Sequence, residues 1–214
     1  MKARRGIFVG AAIIVTLAAV LALELPHISR RVQQSTHPLK YRDTVETIAA
    51  EYDVPPAIVL AVIKTESSFD PKAVSHAGAR GLMQLMPDTD LWLSLYYIDT
   101  DESYDIFDPE TNIRFGVCYL SIAYKRYGDW KTAWASYNAG ISRVDAWLED
   151  SRYSDDGKTL KHIPYPETAE YVEKVGKAAE KYSELYYGGN IKPPSYCEKE
   201  GEQNDERTSK AADL

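Results

Sequence analysis

The apolar residues of this chain recur at helical spacing through most of its length. The pattern predicts helices over residues 44–52, 55–68, 82–86, 88–96, 110–127, 130–136, 140–149 and 166–186. No stretch between turn signals shows the sustained alternation of apolar and polar residues that a half-buried strand requires. The sequence therefore predicts an all-α domain, with its folded part at residues 41–188.

A different pattern opens the chain. Seventeen residues, from Ile7 to Leu23, carry no charge and follow a basic N-terminus, MKARRG. As a helix this run would be about 25 Å long, near the lower limit for crossing a bilayer. The basic residues predict a cytoplasmic N-terminus, a single-pass anchor over residues 1–28 and an extracytoplasmic remainder. A cleaved signal peptide is the alternative, because Ala18, Ala19 and Ala22 could supply a cleavage site.

Two polar segments flank the predicted domain. Residues 29–40 are polar and aperiodic, which predicts a short linker from the membrane. Residues 189–214 lack the apolar content needed to fold, so they are predicted to be a disordered tail.

Charge and composition exclude several classes of function. The formal net charge is −7 and no lysine or arginine stripe is present, so a nucleic acid partner is not expected. The four histidines lack paired-ligand spacing and the two cysteines are not clustered, so the sequence implies no metal and no cofactor. Cys118 fits a buried helical position, and a bridge from Cys118 to Cys197 stays open for an oxidising compartment.

A carboxyl group lies at the end of the most apolar predicted helix. Glu66 shares a face with Ile58 and Val62, four residues apart, in the segment PPAIVLAVIKTESSF. Loss of water and the negative end of the helix dipole both raise a carboxyl pKa there, and a carboxyl protonated near pH 7 can act as a general acid. The competing interpretation is a structural glutamate that turns to solvent or pairs with a nearby lysine or arginine.

Four sequence blocks follow Glu66 in order. They are AVSHAGARGLMQLMP from Ala73, IFDPETNIRFG from Ile106, ASYNAG from Ala135 and IPYPETAEYVEKV from Ile163. With the Glu-Ser pair at residues 66–67, this ordered set resembles the lytic transglycosylase (SLT) domain family, whose fold is related to goose-type lysozyme. The resemblance covers about residues 41–187 and implies a lysozyme-like helical domain with a glycan-binding groove.

The resemblance also implies roles for individual residues. Glu66 corresponds to the single catalytic acid and base of the family, and Ser67 to a serine that packs beside it. The residues implied to bind substrate are Ser75, which orients the reacting sugar; Gln84 and Met86, which line the groove; Tyr137 beside the acid; Asn138; and Glu167 and Tyr171, which close the groove.

The residues themselves leave other roles open for part of this set. Tyr137 could donate a phenol hydrogen bond to a carboxylate or be a core aromatic, and Asn138 could hold a turn or cap a helix. Gln84 and Met86 could be core residues. Asn112 is predicted to be structural, in a helix that Asp108 caps.

Two segments depart from the family pattern. Residues 168–170, between Glu167 and Tyr171, read Thr-Ala-Glu and lack the basic residue that some relatives carry there. Residues 89–105 are unusually acidic and aromatic, so they could shape a particular part of the groove.

The function implied is a membrane-anchored enzyme that cleaves the MurNAc–GlcNAc β-1,4 bond of peptidoglycan and forms 1,6-anhydro-MurNAc ends. One carboxyl group suffices when the substrate's own C6 hydroxyl is the nucleophile. A hydrolytic lysozyme would need a positioned water and a second acid such as Asp70, Asp88 or Glu167. A third alternative is a wall-binding scaffold without turnover.

Overall fold

A computed structural model of the chain describes residues 22–25, 28–98, 104–189 and 191. The chain divides into two compact units, residues 1–39 and residues 40–214. The predicted anchor lies almost entirely outside the described residues, as do Cys197 and nearly all of the predicted tail. Among the described residues, no helix combines the length and the apolar character needed to cross a membrane.

In the first unit, residues 28–36 are helical, although the aperiodic pattern predicted an irregular linker. The segment is rich in arginine and glutamine, which have good intrinsic helix propensity. Ile28 and Val32, four residues apart, are both exposed on this helix. Among the described residues of this unit the helix has no buried apolar face, so local preference accounts for it.

Seven helices form in the described part of the second unit. They are α1 (Arg42–Glu51), α2 (Pro56–Ser67), α3 (Pro87–Tyr96), α4 (Pro109–Tyr127), α5 (Trp130–Ala139), α6 (Ile141–Leu148) and α7 (Pro166–Tyr186). Only isolated β-bridges accompany them, Val74 with Arg80 and Arg80 with Leu85. The predicted all-α class is confirmed, and seven of the eight predicted helices agree with the observed bounds to within three residues.

Helix ends follow from short-range sequence signals. Proline occupies the first turn of α2, α3, α4 and α7, where its missing N–H costs no hydrogen bond. The Asp108 carboxylate accepts a hydrogen bond of 2.9 Å from the Thr111 N–H, which confirms Asp108 as the cap of α4. Asp129 caps α5 in the same way through Thr132. These caps fix where the two helices beside the site begin.

Helix α2 forms the centre of the core. Seven consecutive residues from Ala57 to Ile63 are buried, and α2 packs along α7. Helix α5 packs against both α4 and α7. Because α2 is enclosed around its circumference, a polar side chain in its last turn has little access to water.

The segment predicted as a helix over 82–86 is instead a turn, so that prediction was wrong. Gln84 has a φ of 50°, and the backbone of Arg80 pairs with that of Leu85 on the far side of the turn. Buried Asn112 accepts a hydrogen bond of 2.7 Å from the Met83 N–H and donates to Arg80 O and Ile106 O. These tertiary bonds replace the helical ones, and they confirm the structural role predicted for Asn112.

Gly81 makes the approach of Asn112 possible. A Cβ atom at Gly81 would lie 2.2 Å from Asn112 Nδ2, and its φ of 77° is one that residues with side chains rarely adopt. The turn over residues 81–84 is therefore fixed against α4 by a contact that only glycine permits.

Candidate active site

Glu66 lies in the last turn of α2, one residue before the helix ends. Its side chain is only partly accessible, and burial raises the pKa of the carboxyl to about 7. At neutral pH about half of the molecules therefore hold Glu66 protonated. A carboxyl with this pKa can donate a proton and take one back at the same pH. The predicted shift of Glu66 toward neutrality is confirmed in direction, and burial is confirmed as a cause.

Tyr171, from the second turn of α7, is the group that opposes this shift. As a hydrogen-bond donor its phenol lowers the pKa of Glu66, although burial outweighs it. The two groups do not reach ordinary hydrogen-bond geometry, and Tyr171 Oη is buried without a partner in the described part of the chain. Burial and the Glu66 carboxylate raise the pKa of Tyr171 well above its ordinary value, so the phenol keeps its proton. Tyr171 is thus a neutral donor held beside the carboxyl.

Tyr137, near the end of α5, also lies close to Glu66. Burial and the Glu66 carboxylate raise the pKa of its phenol well above the ordinary value. Its hydroxyl donates a hydrogen bond of 2.8 Å to Met83 O. The phenol proton of Tyr137 is therefore used in the bond to Met83 O. Tyr137 does not donate a hydrogen bond to a carboxylate in this structure. Its oxygen can still accept a hydrogen bond from a protonated Glu66.

The turn over residues 81–84 ties α2 and α5 together. Ser67 Oγ donates a hydrogen bond of 2.7 Å to Leu82 O, next to the carbonyl of Met83 that Tyr137 uses. Ser67 is thereby occupied with packing, as the family pattern implied. These two bonds place the residue after Glu66 and the ring of Tyr137 on one rigid loop, which limits movement of the carboxyl between them.

Asn138 connects the end of α5 to the start of α7. Its side-chain oxygen accepts a hydrogen bond of 2.7 Å from the buried Thr168 hydroxyl. The bond fixes the orientation of the exposed Asn138 amide, and its NH₂ group remains available to a ligand. Glu167, in the first turn of α7, is exposed and forms no ion pair with the described residues. The structure brings Glu66, Tyr137 and Tyr171 together. Asn138 and Glu167 lie near the first turn of α7.

The remaining predicted substrate-binding residues lie on the segment between α2 and α3. Ser75 Oγ accepts a hydrogen bond of 3.0 Å from the Ala79 N–H, and its own proton is free to donate. The Gln84 amide donates to Ala73 O and Gly81 O, so that group stabilises the loop. Met86 is 42% exposed and precedes α3. No contact joins these three side chains to Glu66 within the described residues, and their groove role stays a prediction.

Tyr119 is a site residue that sequence reasoning missed. It is buried in α4, and its ring contacts the Tyr137 ring edge to face at a centroid distance of 5.1 Å. Its hydroxyl donates a hydrogen bond of 2.8 Å to Ser136 O. Ile113 and Val117, four residues apart, are buried on one face of α4, and Tyr119 lies beside that face. The only sequence signal for Tyr119 was its position two residues after Val117, and residues two apart do not share a face of a helix.

No second carboxylate acts on Glu66 among the described residues. Burial raises the pKa of Glu66, and the Tyr171 phenol partly opposes that rise. Asp70, Asp88 and Glu167, the alternatives for a second acid, are all exposed. The site thus presents one carboxyl between two phenols, an arrangement suited to transferring one proton out and one proton back.

Comparison with known proteins identifies the family. The family model for the transglycosylase SLT domain matches residues 43–160. The chain belongs to this family. Over 142 residues it is 36% identical to the soluble lytic murein transglycosylase of Escherichia coli K12, a match that covers 64% of this chain and 22% of that protein. Over 180 residues it is 29% identical to membrane-bound lytic murein transglycosylase C of Actinobacillus pleuropneumoniae, covering 73% of this chain and 47% of the relative.

Solved structures of SLT proteins show the same arrangement of helices. The 70 kDa soluble lytic transglycosylase of Escherichia coli superposes with a TM-score of 0.64 at 32% identity, covering 74% of this chain and 26% of that one. An inactive mutant of the Pseudomonas aeruginosa enzyme Slt gives a TM-score of 0.65, also at 32% identity, and covers 72% of this chain and 26% of that one. The predicted resemblance is therefore confirmed. This SLT chain spans only about a quarter of those structures.

Proposed function

We propose that this SLT chain is a lytic transglycosylase that cleaves the MurNAc–GlcNAc β-1,4 bond of peptidoglycan and leaves 1,6-anhydro-MurNAc ends. The observation that carries the proposal is a single carboxyl group, Glu66, whose pKa of about 7 has no contribution from a second carboxylate in the described residues. A hydrolase of this fold would need another acid or base to activate water. The relatives named above are also described as lytic murein transglycosylases.

In the first step, protonated Glu66 donates its proton to the glycosidic oxygen as the bond to MurNAc C1 breaks. The oxygen leaves on the GlcNAc residue as a hydroxyl, and positive charge develops on the ring of MurNAc. The carboxylate that remains is stabilised by Tyr171, whose phenol is free to donate to it. Asn138 and Ser75 each retain a donor that could hold polar groups of the reacting sugar.

In the second step, the Glu66 carboxylate removes the proton from the C6 hydroxyl of the same MurNAc as O6 bonds to C1. The 1,6-anhydro ring closes, Glu66 regains its proton, and no water is consumed. Both reacting atoms belong to one sugar, so no second reactant has to be brought in. A carboxyl with a pKa near neutrality serves both steps, because it is neither too weak an acid for the first nor too weak a base for the second.

The product decides between this reaction and hydrolysis. Purified peptidoglycan is digested with the wild-type chain and with Glu66→Gln, and the soluble products are analysed by mass spectrometry. We expect wild-type products lighter by one water than the hydrolysed sugars, and no products from Glu66→Gln. Hydrolysed ends from the wild type would establish the lysozyme reaction. Full cleavage by Glu66→Gln would remove Glu66 from the catalytic role.

We also propose that residues 7–23 anchor the chain in the cytoplasmic membrane, with the SLT domain on the extracytoplasmic side. The uncharged run and the basic residues before it support this orientation. In cell fractions the full-length chain should sediment with membranes and be digested by protease added to cells whose wall is removed. A soluble product beginning after Ala22 would establish cleavage of a signal peptide instead.

A further inference from the structure

A row of aromatic rings leads from Glu66 to the surface of α3. Tyr137 contacts Tyr119 at a centroid distance of 5.1 Å, and Tyr119 contacts Trp92 at 6.4 Å. Trp92 in turn contacts Tyr97 at 4.8 Å, edge to face. The row begins at Tyr137, the half-buried tyrosine beside Glu66, and ends at Tyr97, which is 50% exposed. The two rings farthest from Glu66, Trp92 and Tyr97, form what we call the outer platform.

Helix α3 is held in place from its other side. Asp90 is buried and forms an ion pair with Arg80, and its second oxygen accepts a hydrogen bond of 3.4 Å from the Tyr104 hydroxyl. Leu93 and Ile98 are buried in the core. The helix also begins directly after the turn that bonds Ser67 and Tyr137. The outer platform is therefore fixed relative to Glu66 by packed elements.

The surface around the outer platform is unusually apolar for an exposed helix. Leu91 and Leu95, one helical turn apart, are 54% and 66% exposed. Exposed apolar side chains clustered on one short helix are typical of a binding surface. Core packing does not account for these residues, because Asp90, Leu93 and Ile98 already provide the buried side of this segment.

Charge indicates which partner fits. Residues 87–97 contain two aspartates and no lysine or arginine, and the whole chain has a net charge of −7. Helices that lie on anionic membranes carry lysine and arginine on their polar face, which this helix lacks. An uncharged sugar ring suits the surface better, since aromatic rings offer an apolar face to its C–H groups and tyrosine adds a polar tip.

We propose that Trp92 and Tyr97 form a sugar-binding platform at the far end of the groove, which binds the glycan strand beyond the residues that react at Glu66. The inference rests on the proposed function, since it assumes a glycan strand across Glu66. Two successive ring contacts separate Trp92 from Tyr137, a distance on the scale of a disaccharide. Strands long enough to reach the platform gain affinity from it, and shorter strands do not. The platform thereby sets a preference for strand length.

The test measures binding as a function of strand length. The full chain carrying Glu66→Gln is placed in lipid nanodiscs and titrated with uncross-linked GlcNAc–MurNAc strands of two and of eight sugars. Adding Trp92→Ala or Tyr97→Ala should raise the Kd for the longer strand by roughly three- to tenfold and leave the shorter strand within twofold. Trp92→Phe, which keeps an aromatic ring, should retain most of the difference between the two lengths.

Tyr96→Ala is the matched control, because Tyr96 is the most exposed tyrosine of the same helix and makes no ring contact with the described residues. It should leave both affinities unchanged. Equal weakening of both strands by Trp92→Ala and Tyr97→Ala would show a structural role and overturn the proposal, as would no change in either. A variant that keeps strand binding but loses binding to phosphatidylglycerol vesicles or self-association would also overturn it, in favour of a membrane or of a second copy.

The outcome is separable from the proposed reaction. The product assay uses wild-type chain and reports whether 1,6-anhydro ends form, independently of strand length. Anhydro ends with no effect of the platform variants would refute the platform alone. Hydrolysed ends with a length-dependent effect would refute the transglycosylase reaction while retaining the platform.

Discussion

Replacing Glu66 by glutamine should stabilise the fold in a strongly pH-dependent way. The pKa of Glu66 is about 7 in the folded chain, against an ordinary value of 4.5. Below pH 4.5 the carboxyl is protonated in the folded and in the unfolded chain, so its burial costs least. Between pH 4.5 and pH 7 the unfolded chain ionises first, and the free energy of unfolding falls as the pH rises.

The size of the effect follows from the same shift. Each pKa unit corresponds to about 1.4 kcal/mol, so ionisation of Glu66 should cost up to about 3 kcal/mol of folding stability by pH 8. Partial solvent access makes this an upper limit. Glutamine has a similar shape and no charge, so the variant lacks this loss. The difference in free energy of unfolding between Glu66→Gln and wild type should therefore increase from acid pH to pH 8 and stay level above it.

Urea unfolding of both chains at several pH values, followed by circular dichroism, measures this difference directly. Glu167→Gln provides the matched control, because Glu167 is exposed and removal of its charge should give a difference that is small at every pH. A Glu66→Gln chain whose advantage is the same at acid and alkaline pH would refute the reasoning, since it would show that ionisation of Glu66 has no cost in the folded chain.

Three further variants test groups around Glu66 and the turn beside it. Tyr171→Phe removes the donor that lowers the pKa of Glu66, so the alkaline limb of the pH profile of kcat/KM should move up by about one pH unit, whereas Tyr182→Phe on the same helix should leave the profile unchanged. Because Tyr171 Oη makes no hydrogen bond of ordinary geometry with the described residues, Tyr171→Phe should not lower the thermal midpoint, and a fall of several degrees would contradict the geometry. Asn112→Ala leaves the Met83 N–H and the Ile106 carbonyl without their partner, removes one of two hydrogen bonds to Arg80 O, and should cost about 3 kcal/mol in urea unfolding. Gly81→Ala should destabilise the chain by a comparable amount, and a neutral result would show that Asn112 can move aside.

The helical part of this fold could be predicted because its signals come from residues that are close together in sequence. Ile58, Val62 and Ile63 recur at helical spacing, proline opens the helix, and all three are fully buried in α2. Asp108 could be predicted as a cap because its partner, Thr111, lies three residues away. Where the interacting residues are close in sequence, the pattern and the structure agree.

The turn over residues 81–84 could not be predicted in the same way. Its local pattern is helical, but it is fixed by Asn112, whose bond to the Met83 N–H joins residues 29 positions apart. The role of the Tyr137 hydroxyl depends on a bond to Met83 across 54 positions. Local periodicity cannot predict either hydrogen bond, because the bonded residues are far apart in sequence. Only the resemblance of the separate blocks to one family indicated that these segments belong to a common site.

The position of Glu66 within α2 explains the near-neutral pKa that its proposed roles as acid and base require. At the C-terminal end of a helix, carbonyl groups point toward the side chain and no main-chain N–H is free to hold a carboxylate. Burial by the apolar residues of α2 then acts without opposition except from Tyr171, and the pKa stays near neutrality. Glu167 has the opposite setting, exposed in the first turn of α7, where free N–H groups favour negative charge. The two glutamates are thus not interchangeable, and Glu167, which the Glu66→Gln variant retains, should not restore cleavage to that variant.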